Sequence, residues 1–159
     1  MLHYFNKSLL RSVLFSICIC IFLNILIFTI PFAADTKSSA TGPISSILGP
    51  LVPFIWIILF GFMGAASYFF EKSNNFINKK VNLIQFLIVL CALYPIYTLG
   101  FRSELIGLYG NLTTLISSIF LIKHLWIKSL ISALLIMPTT IWLILASIWL
   151  SYEVLGLSF

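Results

Sequence analysis

The stretch Val52-Pro-Phe-Ile-Trp-Ile-Ile-Leu-Phe-Gly-Phe-Met-Gly-Ala-Ala-Ser-Tyr-Phe-Phe70 carries no charged residue. A helix that crosses the hydrocarbon of a bilayer needs about 20 mostly apolar residues, and with Leu51 this stretch reaches that length. Within it Pro53, Trp56, Phe60, Gly64 and Ser67, and Glu71 just beyond, recur at three- and four-residue steps. That spacing sets them along one face of a helix, where aromatic residues alternate with small ones.

The same reading extends along the whole chain. Of its 159 residues 61% are hydrophobic and 8% charged, against roughly half apolar and a quarter charged in soluble domains. Apolar runs predict helices over about 9–30, 51–70, 83–101, 105–122 and 128–157, with a long Ser-, Thr-, Gly- and Pro-rich loop at 31–50. The expected fold is therefore all-α, an integral membrane bundle of five transmembrane helices forming a single domain over residues 1–159. The last helix is longer than a span needs, and Pro138 predicts a bend in its middle, a feature membrane helices tolerate when neighbours satisfy the freed carbonyl.

The net charge of +5 is placed between the apolar runs. Lys7, Arg11, Lys72, Lys79, Lys80, Lys123 and Lys128 fall on one side, whereas Lys37 and Arg102 fall on the other. The positive-inside bias puts the N-terminus inside and, after an odd number of crossings, the C-terminus outside. No basic cluster with interleaved exposed aromatics suggests a nucleic-acid partner. The first run is read as a retained span: it is longer than a signal-peptide core, and Pro31 and Phe32 stand where a cleavage site needs small residues.

Dedicated chemistry is sparse. Glu71, Arg102, Glu104 and Glu153 lie near helix ends, where they reach headgroups or water. His3 and His124 are peripheral, His124 within an expected basic loop, so a histidine-ligated haem is not expected. Cys18 and Cys20 are two residues apart and point to nearly opposite helix faces, while Cys91 sits in another apolar run; no metal site is read from them. No catalytic residue is assigned, because no nucleophile has a base at a matching spacing. The glycosylation sequons at Asn6 and Asn111 are taken as chance.

Packing signals and ligand signals overlap. Gly61 with Ala65, and Gly107, Gly110, Thr114 and Ser118, mark close helix contacts. A second stripe, Ser132, Thr139, Trp142, Ala146, Trp149 and Glu153, occupies one face of the last helix. Such faces either pack against a neighbour or wall a flat cavity. Trp56, Tyr94, Tyr97, Trp142 and Trp149 suit a large planar apolar ligand, since aromatic stacking adds about 0.5–1.5 kcal/mol per pair beyond burial. Trp126, beside Lys123 and Lys128, fits an interfacial belt instead.

Two blocks resemble the TspO/MBR family, the translocator or tryptophan-rich sensory proteins. Pro53, Trp56, Leu59, Met63, Gly64, Ala66 and Tyr68 match its second-helix pattern, with Phe60 where tyrosine is usual. Ala133, Leu135, Pro138, Trp142 and Ala146 match its last-helix pattern. Thr139 replaces a tyrosine, Leu150 an asparagine, and Tyr94 and Tyr97 stand where asparagine and tryptophan are expected. The basic residue of a C-terminal cholesterol-recognition pattern after Tyr152 is missing.

The resemblance implies a pocket under the first loop that binds porphyrins and haem-type tetrapyrroles, or sterols in some members. No obligatory cofactor follows from it. It also implies a homodimer in membrane lipid, and for some members transport or light-dependent porphyrin breakdown. Trp56 and Trp142 would face each other across the pocket, with Ala146 keeping its floor open and Pro53, Phe60, Tyr94, Tyr97 and Trp149 around them. A bacterial cell membrane is the expected location. The leading reading is a tetrapyrrole-binding receptor or regulator. A small transporter or channel for an apolar or anionic solute, and a structural subunit, stay open as alternatives.

Overall fold

A computed structural model of the protein describes residues 2–29, 51–73, 83–96 and 103–155, without the side chains of 2–6, 26–29, 104 and 153. The helices are α1 (Leu2–Thr29), α2 (Val52–Ser73), α3 (Leu83–Ala92), α4 (Glu104–Lys128) and α5 (Leu130–Val154). Among the described residues all regular structure is helical. Four of the helices, all but α3, are long and apolar enough to cross a membrane.

α3 differs from expectation. Its regular part covers only 10 residues, about 15 Å at the helical rise, half a hydrocarbon core. Beyond it Pro95 supplies no N–H, and the Ile96 N–H bonds the Leu93 carbonyl at 2.9 Å, a tighter turn than the α-helix makes. Residues 97–101 of the expected helix, Tyr97 among them, lie outside the described residues.

The join between the last two helices also departs from the loop expected at 123–127. α4 continues through Lys123, His124 and Lys128, and the break falls on Ser129 alone, whose backbone is extended (φ −159°, ψ 90°). Ser129 closes one helix and opens the next: its N–H bonds the Leu125 carbonyl at 2.7 Å and its carbonyl accepts the Ala133 N–H at 3.0 Å. Hydropathy locates the edge of the hydrocarbon, but a helix stops only where caps or breakers stop it. α1 likewise begins before its apolar run, at Leu2. At its other end α4 is capped by Ser103, whose side chain accepts the Ile106 N–H.

Around the bundle the order is α1, α2, α5, α4, α3, with α2 also touching α3 and α4 across the middle. At Gly64 on α2 the backbone of α1 comes close enough to leave no room for a Cβ. The Ser12 hydroxyl of α1 donates to the Gly64 carbonyl at 2.8 Å, and Ser132 of α5 donates to the Ala66 carbonyl at 2.9 Å. Both neighbours thus bond to the backbone of the central helix, the kind of contact that orders helices in a solvent as apolar as their own side chains.

The interior holds Phe60, Met63, Ile84, Leu87, Leu125, Ile136 and Leu143. Facing outward are equally apolar residues, Phe120 at 68% and Ile127 at 89% exposure among them. An apolar surface on every side of an apolar core is what a lipid solvent permits and water does not.

Candidate functional site

Near the end of the bundle where α1 finishes and α2 begins, a small cleft of about 20 Å³ lies between α1, α2 and α3. α1 lines it with Cys20, Leu23 and Asn24, α2 with Trp56 and Phe60, and the α3 end with Cys91, Ala92 and Pro95. The three-to-four spacing of Trp56 and Phe60 turns both inward, and both are buried.

Three of the aromatic residues singled out in the sequence come together here. The Trp56 ring lies 6.0 Å from Phe60 at 63° and 5.5 Å from Tyr94 at 43°. These are the edge-on and tilted arrangements that aromatic quadrupoles prefer. Ala92 and Pro95 contribute little side-chain bulk to the lining.

The other candidates lie elsewhere. Trp142, Ala146 and Trp149 are half-buried on α5, Trp142 packing against the core, and none of them lines this cleft. Pro53 is exposed.

Two asparagines in apolar runs carry contacts that the sequence reading left unassigned. Asn24 Nδ2 donates to the Cys20 carbonyl at 2.7 Å at the rim of the cleft. Asn111 on α4 is fully buried, and its Nδ2 donates to the Leu143 carbonyl at 3.0 Å and to Ser147 Oγ at 2.7 Å on α5. Ser147 spends its own proton on the Leu143 carbonyl at 2.8 Å, which fixes the orientation of the amide. Asn111 Oδ1 is left without a partner, as is the buried Thr139 Oγ1. The signal for Asn111 was available: an amide inside a membrane span bonds to another helix or to a ligand. Its burial within the α4–α5 contact agrees with reading its sequon as chance.

The TspO/MBR family model matches residues 16–155, which is most of the chain and takes in part or all of every helix described above. The chain belongs to the TspO/MBR family. No curated protein and no solved structure matches it. In this TspO/MBR protein the second-helix block forms the inward face of α2: Trp56, Leu59, Met63, Gly64, Ala66 and Tyr68 are all buried, and only Pro53 is exposed. Of the last-helix block, Ala133 is buried, while Leu135, Pro138, Trp142 and Ala146 are half-buried. Family membership and the four long apolar helices make it an integral membrane protein.

Proposed function

We propose that this TspO/MBR protein is a membrane receptor or regulator that binds a porphyrin or related tetrapyrrole inside its helix bundle. The observation that carries the proposal is the aromatic corner of Trp56, Phe60 and Tyr94 beside a small, mostly apolar cleft. Apart from two thiols and one amide, the side chains lining that cleft are apolar or aromatic. Flat apolar rings stack on such walls, and few polar groups are needed to orient them.

The cleft has a volume of about 20 Å³, room for about one water and far below the roughly 300–1,000 Å³ of ordinary ligand pockets, so in this reading the helices part to admit the ligand. In this reading one edge of the ring seats on Trp56, and the rest extends toward Trp142 and Ala146, which share a face of α5 by their four-residue spacing. The third apolar run completes a fifth crossing. The basic residues at the α2 and α4 ends then lie on the cytoplasmic side of a bacterial membrane, with the cleft toward the opposite face.

Titration of the purified protein with protoporphyrin tests the site. Tryptophan emission should quench saturably, and Trp56→Ala combined with Trp142→Ala should weaken binding roughly tenfold or more, the loss of two stacking contacts. An unchanged affinity in the double variant would remove both tryptophans from the site, and with them the proposal.

A further inference from the structure

A cleft with room for about one water admits a ring only where helices separate, and the seams of this bundle differ in what separation breaks. α1 is pinned to α2 by the Ser12 hydroxyl on the Gly64 carbonyl, and α5 to α2 by the Ser132 hydroxyl on the Ala66 carbonyl. α4 is pinned to α5 by Asn111 on the Leu143 carbonyl and Ser147, and by the Thr140 hydroxyl on Ser118 Oγ. Parting any of these seams in hydrocarbon strips polar groups of their partners. The inward face of α3 is Ile84, Leu87, Ile88, Cys91 and Ala92, apolar throughout when the buried thiol is counted as the small hydrophobe it is. Moving that face outward exchanges apolar side chains for lipid tails of the same polarity.

The end of α3 that walls the cleft is also where its regularity fails. Cys91, Ala92 and Pro95 line the cleft, and Tyr94 among them lays its ring against Trp56 at 5.5 Å. Pro95 has no N–H to give the Cys91 carbonyl four residues back, and the Ile96 N–H turns to the Leu93 carbonyl instead. Tyr94 is half-buried against the core, while Leu93 and Ile96 on either side of it are exposed.

We propose that residues 93–96 are a gate on the cleft. They move outward with the end of α3, lift Tyr94 off Trp56, and open the cleft sideways between α1 and α3 to a planar apolar ring dissolved in the lipid. The seams fastened by Ser12, Ser132 and Asn111 stay closed and act as the frame against which α3 moves. As the entry route of a tetrapyrrole the gate rests on the function proposed above, whereas the opening itself is a property of the empty protein.

The test uses the empty protein. The full chain carrying Cys18→Ser is placed in phosphatidylcholine nanodiscs and treated with N-ethylmaleimide, and modification of Cys91 is followed by mass spectrometry. Cys91 is 2% exposed with the cleft closed, so its labelling rate reports opening. Tyr94→Ala should raise that rate about tenfold through loss of the contact with Trp56. Pro95→Ala supplies the missing N–H and should slow labelling several-fold, whereas a mere hole left by a smaller side chain would speed it. Ser12→Ala and Asn111→Leu, at the pinned seams, should leave it unchanged. Faster labelling in Pro95→Ala, or a rise in Ser12→Ala or Asn111→Leu equal to that in Tyr94→Ala, would overturn the gate. Hydrogen exchange on the unmodified chain needs no variant: amides of residues 89–96 should exchange faster than those of 59–66 on α2, and equal rates would also overturn it. Protoporphyrin titration is a separate measurement. Opening without porphyrin binding removes the functional reading alone, and porphyrin binding with Cys91 labelling that ignores Tyr94 and Pro95 removes the gate alone.

Discussion

A Cβ placed on Gly64 would sit 2.7 Å from the Ser12 carbonyl oxygen, so α1 and α2 meet at this pair with no space for a side chain. The obstruction is backbone on the opposite helix, with Val13 Cα at 2.9 Å, so no side chain can swing aside to admit it. Gly64→Ala should therefore force the helices apart and lose the Ser12 bond. The expected cost is about 3 kcal/mol, the upper end of overpacking penalties. At Gly61 the same addition meets the Ile17 side chain at 3.6 Å and Val13 Cγ1 at 3.9 Å, ordinary contacts. Gly61→Ala should be neutral, or stabilising by up to about 1 kcal/mol through the helix preference for alanine. Thermal unfolding of the two variants in detergent checks the contrast, and equal effects would refute it.

Asn111 donates two bonds to α5 while its carbonyl oxygen goes unpaired. Asn111→Leu removes the bonds and the unpaired acceptor together, and these effects partly cancel. A loss of roughly 1 kcal/mol or less is expected, in keeping with interhelical hydrogen bonds in membranes. Asn111→Asp keeps the shape but turns the donor toward Leu143 and Ser147 into an acceptor, and its ionised form at mid-span costs at least about 2.5 kcal/mol. Denaturant unfolding should thus rank the aspartate variant well below the leucine variant.

Thr139 Oγ1 is buried with no partner. Thr139→Val removes the hydroxyl at nearly constant shape and should raise the unfolding temperature, by an amount corresponding to about 1 kcal/mol. A fall in stability would mean that the hydroxyl is bonded in the folded protein.

In the proposed orientation the basic residues Lys72, Lys123 and Lys128, at the ends of α2 and α4, lie on the cytoplasmic side. A phosphatase that works only outside the cytoplasm should be active when fused after Phe159 and inactive when fused near Lys128. The reverse pattern would invert the topology.

Much of the architecture was legible along the chain because the bilayer imposes a length and a composition on any helix that crosses it. The apolar runs therefore marked the membrane helices, and the spacing of Trp56, Phe60, Gly64 and Ser67 marked the face of α2 that is buried. Helix ends were read less well: α4 runs on to Lys128 because nothing before Ser129 breaks it, and the regularity of α3 fails at Leu93, two residues before Pro95.

Periodicity resolves which face of a helix turns inward but not which helix it meets, since that depends on the order of helices around the bundle. The intimate step on α2 is thus Gly64 against Ser12, whereas Gly61 makes an ordinary contact. The same order sets Trp56 beside Tyr94 and gathers residues of α1, α2 and α3 around one cleft. Local chemistry chose the solvent and the helices; the packing of three of them chose which side chains share a space.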